Sequence, residues 1–154
     1  MAVYFFDSSA LVKRYVTETG TAWVISVLDP GAANAIYLAR IAGVEVVSAI
    51  ARRARGGDIT LSDGAAAIGQ FRHEFATTYC TVEINQALIA RAMDVAESRA
   101  LRGYDVVQLA AAMEVNAYCL ALGILPLTLV SSDAALNAAA VSEGLIVEDP
   151  NTHP

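Results

Sequence analysis

Four acidic residues of this chain keep company that surface acids ordinarily avoid. Asp7 follows the apolar run VYFF, Glu45 lies within GVEVVSAIA, Asp105 begins YDVVQLAAAM, and Asp133 follows LTLVSS. A carboxylate buried among such neighbours without a partner costs several kcal/mol or takes up a proton. Four of them converging on one place would repel one another unless a cation lay between them. Hard divalent cations take oxygen ligands, and Mg²⁺ or Mn²⁺ is their usual occupant. With no His or Cys nearby in sequence, zinc is disfavoured. Carboxylate-held Mg²⁺ typically acts on phosphate oxygens, where it lowers the pKa of a bound water and stabilises the charge of an in-line displacement.

Each acid also has an ordinary explanation to weigh. Asp7 and Asp133 suit helix N-caps, worth about 1 kcal/mol each. Asp105 suits a first-turn position favoured by the helix dipole. Glu45 resists this treatment, because it is expected several residues into a helix with Val44, Val46 and Val47 beside it.

The elements that must position these acids follow from apolar periodicity and turn signals. Residues 2–6 read as a short buried strand, and Ser8 to Val16 resumes at helical spacing. Thr21 to Leu28 is a second helix, stopped by Asp29-Pro30-Gly31. Ala35 to Leu38 is a strand and Ile41 to Arg55 a helix. Ser62, as N-cap, opens a helix to Thr78. Cys80 to Ile84 is a strand, and Asn85 caps a helix running to about Ala100. A long helix covers Tyr104 to Leu122, with Gly123 as its stop. Leu127 to Val130 is a strand, Ala134 to Ser142 a helix and Leu145 to Val147 a last strand. Strands alternating with helices mean a parallel sheet with helices on both faces, and the wholly apolar strands agree. Ligands bind such sheets beyond the carboxyl ends of the strands. Asp7 and Asp133 are placed there by the strand assignments alone, and a helix starting at that edge would bring Asp105 there too.

Composition sets the outer limits. The chain has 154 residues, of which 56% are hydrophobic and 17% charged, which suits one domain with a sizeable core. No apolar run is long enough to span a bilayer, and the N-terminus lacks the basic region of a signal peptide; a cytoplasmic location is the default expectation. Cys80 and Cys119 lie at no metal-ligand spacing and read as two buried thiols. His73 and His153 are too few for a typical zinc site, and His153 falls in a terminal tail. The net charge of −6 argues against the whole surface attracting nucleic acid. The basic residues are nonetheless clustered: Lys13 with Arg14, then Arg52, Arg53 and Arg55, then Arg99 and Arg102. Each cluster reads first as a solvated helix face, though a local cluster can still hold a phosphate backbone. Trp23, Phe71 and Phe75 read as core rather than as stacking platforms.

Competing α/β chemistries fail on particular residues. A haloacid-dehalogenase-type phosphatase needs a second Asp two positions after the first, where this chain has Ser9. A response-regulator receiver needs a late strand-end lysine, and the only lysine is Lys13. No GxGxxG or GxxxxGK[ST] motif appears, so dinucleotide and P-loop nucleotide binding lack support.

The four acids in their order and surroundings resemble the PIN domain family, most closely the VapC-type toxin ribonucleases of toxin–antitoxin pairs. FFDSSALVKRY resembles the first motif, VEVVSAIARR the helix-borne glutamate of the second, LRGYDVVQLAAA the third and LVSSDAALNAAAVSEGLIVEDP the fourth. In the fourth, the family often has Thr where this chain has Ser131. The resemblance covers nearly the whole chain. It implies a three-layer α/β/α PIN-like fold around a parallel sheet of about five strands, with residues 1–150 as the single domain and 151–154 as a short C-terminal tail. It further implies an acidic Mg²⁺/Mn²⁺ pocket of Asp7, Glu45, Asp105 and Asp133, with Ser9 and Ser131 as supporting hydroxyls. The implied reaction is metal-dependent endonucleolytic hydrolysis of RNA. The implied partners are an RNA substrate, a cognate antitoxin and a second copy of the chain in a homodimer, with no membrane. Arg102, Arg52 and Arg53 lead the candidates for contact with the RNA backbone, followed by Arg55 and Arg99. Two rival readings keep the fold: a PIN-domain nuclease of housekeeping RNA processing, and a catalytically silent protein-binding module.

Overall fold

In the computed structural model, which describes residues 1–153, five parallel strands form one sheet in the order β3-β2-β1-β4-β5. The strands are β1 (Val3–Phe6), β2 (Ala35–Ala39), β3 (Cys80–Val82), β4 (Thr128–Val130) and β5 (Ile146–Glu148). The helices are α1 (Ser8–Leu11), α2 (Thr21–Val27), α3 (Ala42–Gly56), α4 (Leu61–Thr77), α5 (Gln86–Ser98), α6 (Gly103–Ala121) and α7 (Ala134–Ser142). The chain lays down β1, β2 and β3 toward one edge, then returns to place β4 on the other side of β1. Registers such as Phe5 opposite Tyr37 on one side and Leu129 on the other hold β1 at the centre.

The pleat of β1 explains the three layers. Successive strand residues point to opposite faces. Val3 and Phe5 join a core with Leu88, Leu109, Val115 and Leu136 from α5, α6 and α7. Phe6 joins a second core with Leu11, Val24, Val46, Ile50 and Phe71 from α1 to α4. Phe5 and Phe6 are both fully buried, so the strand must be apolar throughout. The α3–α4 hairpin packs closely because Gly64 has no side chain; a Cβ there would lie 2.8 Å from that of Ala54.

Element boundaries depart from the sequence reading where capping chemistry decides them. The N-cap of α4 is Thr60, whose Oγ1 accepts from Asp63 N at 3.0 Å, rather than Ser62. The segment after α1 tightens into a 3-10 turn over Val12–Arg14 instead of continuing as an α-helix. Cys80 is exposed, at the start of an edge strand, and only Cys119 is a buried thiol. The expected basic helix face at Lys13 and Arg14 does not form. Lys13 is 3% exposed and donates from Nζ to Thr19 O at 2.9 Å and Asn151 Oδ1 at 3.0 Å, while Arg14 grips Glu74. The C-terminal residues expected to form a tail are also held in place. Pro150–Thr152 make a 3-10 turn. The His153 ring stacks on Trp23 at 4.4 Å between centroids, and its Nε2 lies 2.9 Å from Glu148 Oε2. Pro154 lies outside the described residues. Phe71 is core as expected, with Trp23 and Phe75 packed against it in part. Among the described residues no helix is long and apolar enough to cross a membrane.

Candidate active site

Strand order reverses between β1 and β4, and a crevice opens at such a switch point beyond the carboxyl ends of the strands. Asp7 leaves β1 there, its backbone N–H donating to Val130 O of β4 at 3.1 Å. Ser131 and Asp133 leave β4 beside it. Glu45 on α3 and Asp105 on α6 complete the row, because both helices start at this edge.

All four acids sit at helix N-termini, where unpaired N–H groups favour negative charge. Asp7 caps α1, with Oδ1 accepting from Ala10 N at 3.2 Å and from Ser9 Oγ at 2.8 Å. Asp133 caps α7, with Oδ1 accepting from Leu136 N at 2.9 Å. Asp105 lies in the first turn of α6. Glu45 corrects the sequence reading twice. It lies in the first turn of α3 rather than deep in the helix, and it has polar partners, supplied from elsewhere in the chain. Ser8 Oγ donates to its Oε2 at 3.2 Å, and Gln108 Nε2 to its Oε1 at 2.8 Å.

The supporting hydroxyls tie the site together. Ser9 Oγ donates to Asp7 and accepts from Ser132 N at 2.9 Å, linking the β1 and β4 ends. Ser131, fully buried, accepts from Asp133 N at 3.0 Å through its Oγ. Gln108 and Ser8 were not singled out as site residues from sequence. Gln108 lies one helical turn after Asp105, on the same face of an otherwise apolar helix, and that spacing is the signal that could have found it.

Electrostatics mark the row as short of positive charge. Asp7 is 4% exposed, and burial pushes its carboxyl up to about 7; hydrogen bonds from Ser9, Ala10 N and Ser131 pull it back only in part, and Glu45 raises it further. Burial also raises Glu45, against its bonds from Gln108 and Ser8, and the Asp105 charge adds to the rise. Asp105 is raised by burial and by Asp133, with Arg102 opposing. Each acid thus feels the next, from Asp7 to Glu45 to Asp105 to Asp133. They do not meet at one point: among the described residues no three Asp, Glu, His or Cys side chains form a group that could hold a metal ion. Asp7, Glu45 and Asp133 are each bonded to donors of their own.

A cleft of about 600 Å³ opens at Glu45, lined also by Ser8, Ser9, Arg52, Tyr104 and Ser132 among others. Arg52 is exposed at its wall. Arg53 is committed to Glu18 at 2.8 Å, and Arg99 to Glu143 at 2.9 Å. Arg55 lies on a different cleft, between α3 and α4.

No protein-family model matches the chain. Two curated Mycobacterium tuberculosis proteins, ribonuclease VapC45 of strain CDC 1551 / Oshkosh and ribonuclease VapC49 of strain H37Rv, are each 36% identical to it over 116 residues, covering 75% of this chain and 78% of theirs. Among solved structures, PAE2754 from Pyrobaculum aerophilum superposes with a TM-score of 0.62 at 19% identity over 99% of this chain and 92% of that one. Mycobacterium tuberculosis VapC20, described as a sarcin-ricin loop cleaving toxin, gives 0.59 at 14% identity over 88% and 94%. These two likenesses establish the fold. The identity and coverage shared with the two curated ribonucleases, on a PIN-like α/β/α fold, place this chain in the VapC family.

Proposed function

We propose that this protein is a metal-dependent endoribonuclease and the toxin of a toxin–antitoxin pair. The observation that carries the reading is the row of four acids at the switch point, three of them raised by burial and by one another. Such a row gains most from a bound cation, and its oxygen-only donors suit Mg²⁺ or Mn²⁺. The relatives named ribonuclease supply the substrate class. The VapBC2 proteins of Rickettsia felis, seen with a DNA fragment from their promoter, support a partner protein that holds the toxin in check.

Drawn together from their present pairwise arrangement, Asp7, Glu45, Asp105 and Asp133 would hold the ion, which would supply an activated water and charge neutralisation at the phosphate. Ser9 and Ser131 orient the carboxylate and backbone of the two strand ends, as their bonds to Asp7 and Asp133 N indicate. Gln108 and Ser8 fix Glu45. Arg52, on the cleft at Glu45, and Arg102, beside Tyr104, are both exposed and hold phosphates of the RNA backbone.

RNA cleavage with Mg²⁺ or Mn²⁺ tests the reading. Asp7→Asn and Asp105→Asn are expected to lose about a hundredfold or more in rate, since even partners behind a metal ligand cost 10–100-fold when removed. Cleavage that survives excess EDTA rejects the metal, and full activity in both variants rejects the site.

A further inference from the structure

Tyr104 is the first-turn neighbour of Asp105 and, among the described residues, the one aromatic lining the cleft at Glu45. The residue is 64% exposed. It also lines a second, smaller cleft of about 320 Å³ with Arg102, Gly103 and Val107. Tyr104 therefore lines two depressions, one with Glu45 and Arg52, the other with Arg102. Both arginines are exposed, and among the described residues neither has an ion-pair partner. The remaining cations near the cleft are occupied: Arg53 by Glu18, and Lys13 by Thr19, Asn151 and Glu18.

An aromatic side chain that shares its two clefts with two free guanidinium groups matches one ligand chemistry. A single strand of nucleic acid alternates stackable bases with phosphates, and proteins that bind such strands interleave aromatic platforms with cations. A duplex does not fit, because its bases already stack on each other. We infer that Tyr104 is a base-stacking platform that seats an unpaired nucleotide of the RNA beside the acidic cleft, with Arg52 and Arg102 holding phosphates on either side of it. The inference rests on the ribonuclease reading and deepens it: the substrate is an unpaired segment, placed by a residue that touches a base rather than the reacting phosphate.

The experiment measures binding of a short labelled single-stranded RNA, and of a blunt duplex of the same sequence, by fluorescence anisotropy in the non-cleaving Asp7→Asn protein. Adding Tyr104→Ala or Tyr104→Leu is expected to weaken single-strand binding about tenfold, in the range measured for lost base–aromatic stacking. Tyr104→Phe, which keeps the ring, is expected to stay within about twofold of the parent on the same basis, and the duplex is expected to bind more weakly than the single strand. In the otherwise wild-type protein Tyr104→Ala is expected to raise KM more than it lowers kcat. Unchanged binding on Tyr104→Ala, or an equal loss with Phe, overturns the platform while wild-type cleavage leaves the ribonuclease reading standing. Wild-type protein that neither binds nor cleaves RNA overturns both.

Discussion

Asp7 and Glu74 are both carboxylates largely withdrawn from water, yet they end on opposite sides of the ordinary carboxylate pKa. Asp7 is pushed up to about 7. Glu74, with a side chain 14% exposed, is also pushed up by burial, but its hydrogen bonds prevail and hold it down at about 2. Arg14 donates to it from Nε and Nη2, both at 2.8 Å, Tyr79 donates at 3.0 Å and Gln70 at 3.1 Å, and Tyr15 completes the set. The difference is the guanidinium. Glu74 carries its own cation and joins α4 to the segment after α1 as a finished structural joint. Asp7 has only neutral donors on one side and other acids on the other. An acid whose charge is answered from within the fold is structural; one left with neutral donors and other acids is a candidate for a site.

The largest expected effect concerns Asp7 without metal. Unfolded, it ionises near 3.8; folded, near 7. Between those values the folded protein keeps a proton that the unfolded chain has lost, so this contribution to stability falls as pH rises, by up to about 4 kcal/mol above pH 7. Asp7→Asn in EDTA should therefore melt higher than the parent at pH 8 and close to it at pH 4. Parallel melting curves across that range would remove the contrast with Glu74.

Glu74 has the opposite sign. Its stabilisation is fully present above pH 4.5 and is lost as pH falls toward 2. Glu74→Gln strands a mostly buried Arg14 and is expected to cost about 3 kcal/mol at pH 7, a melting shift of several degrees, with RNA cleavage at low temperature unchanged. Loss of cleavage with an unchanged melting point would put Glu74 in the site after all.

The smallest effect sharpens the comparison within the acidic row. Gln108 is 2% exposed and donates to Glu45, while its own Oε1 has no partner. Gln108→Leu removes both the donor and that unsatisfied atom. The metal-free protein should be as stable as the parent or slightly more so. Its Mn²⁺ affinity, read from the rise in melting temperature with added ion, should fall about tenfold. An unchanged affinity would separate Gln108 from the proposed metal site.

Much of the site was legible because an acid beside an apolar run is costly unless position explains it. Asp7 and Asp133 could be placed at strand ends from VYFFD and LTLVSSD, since a fully buried strand must stop where charge begins. Glu45 was noticed for the wrong reason: its helix starts at Ala42, so it is a first-turn acid with donors on α1 and α6. Those donors are 37 and 63 residues away in sequence, beyond the reach of any local pattern. The same distance hid the fates of the basic residues. Lys13 and Arg14 read as a solvated pair, but Asn151 and Glu74 take them inward.

The sequence by itself determined which residues are apolar strands, where carboxylates interrupt them, and hence that acids would gather at one sheet edge. Those features depend on contacts between neighbours and on helical or strand periodicity, which a linear pattern records. Only the tertiary structure decided which acid receives a cation from within the fold and which does not. It also decided that the four site acids line up pairwise rather than close on one point, and that Tyr104 shares its two clefts with two free arginines. Pairing of charges depends on which distant segments meet when the sheet reverses order between β1 and β4, and that meeting is made by packing the two cores.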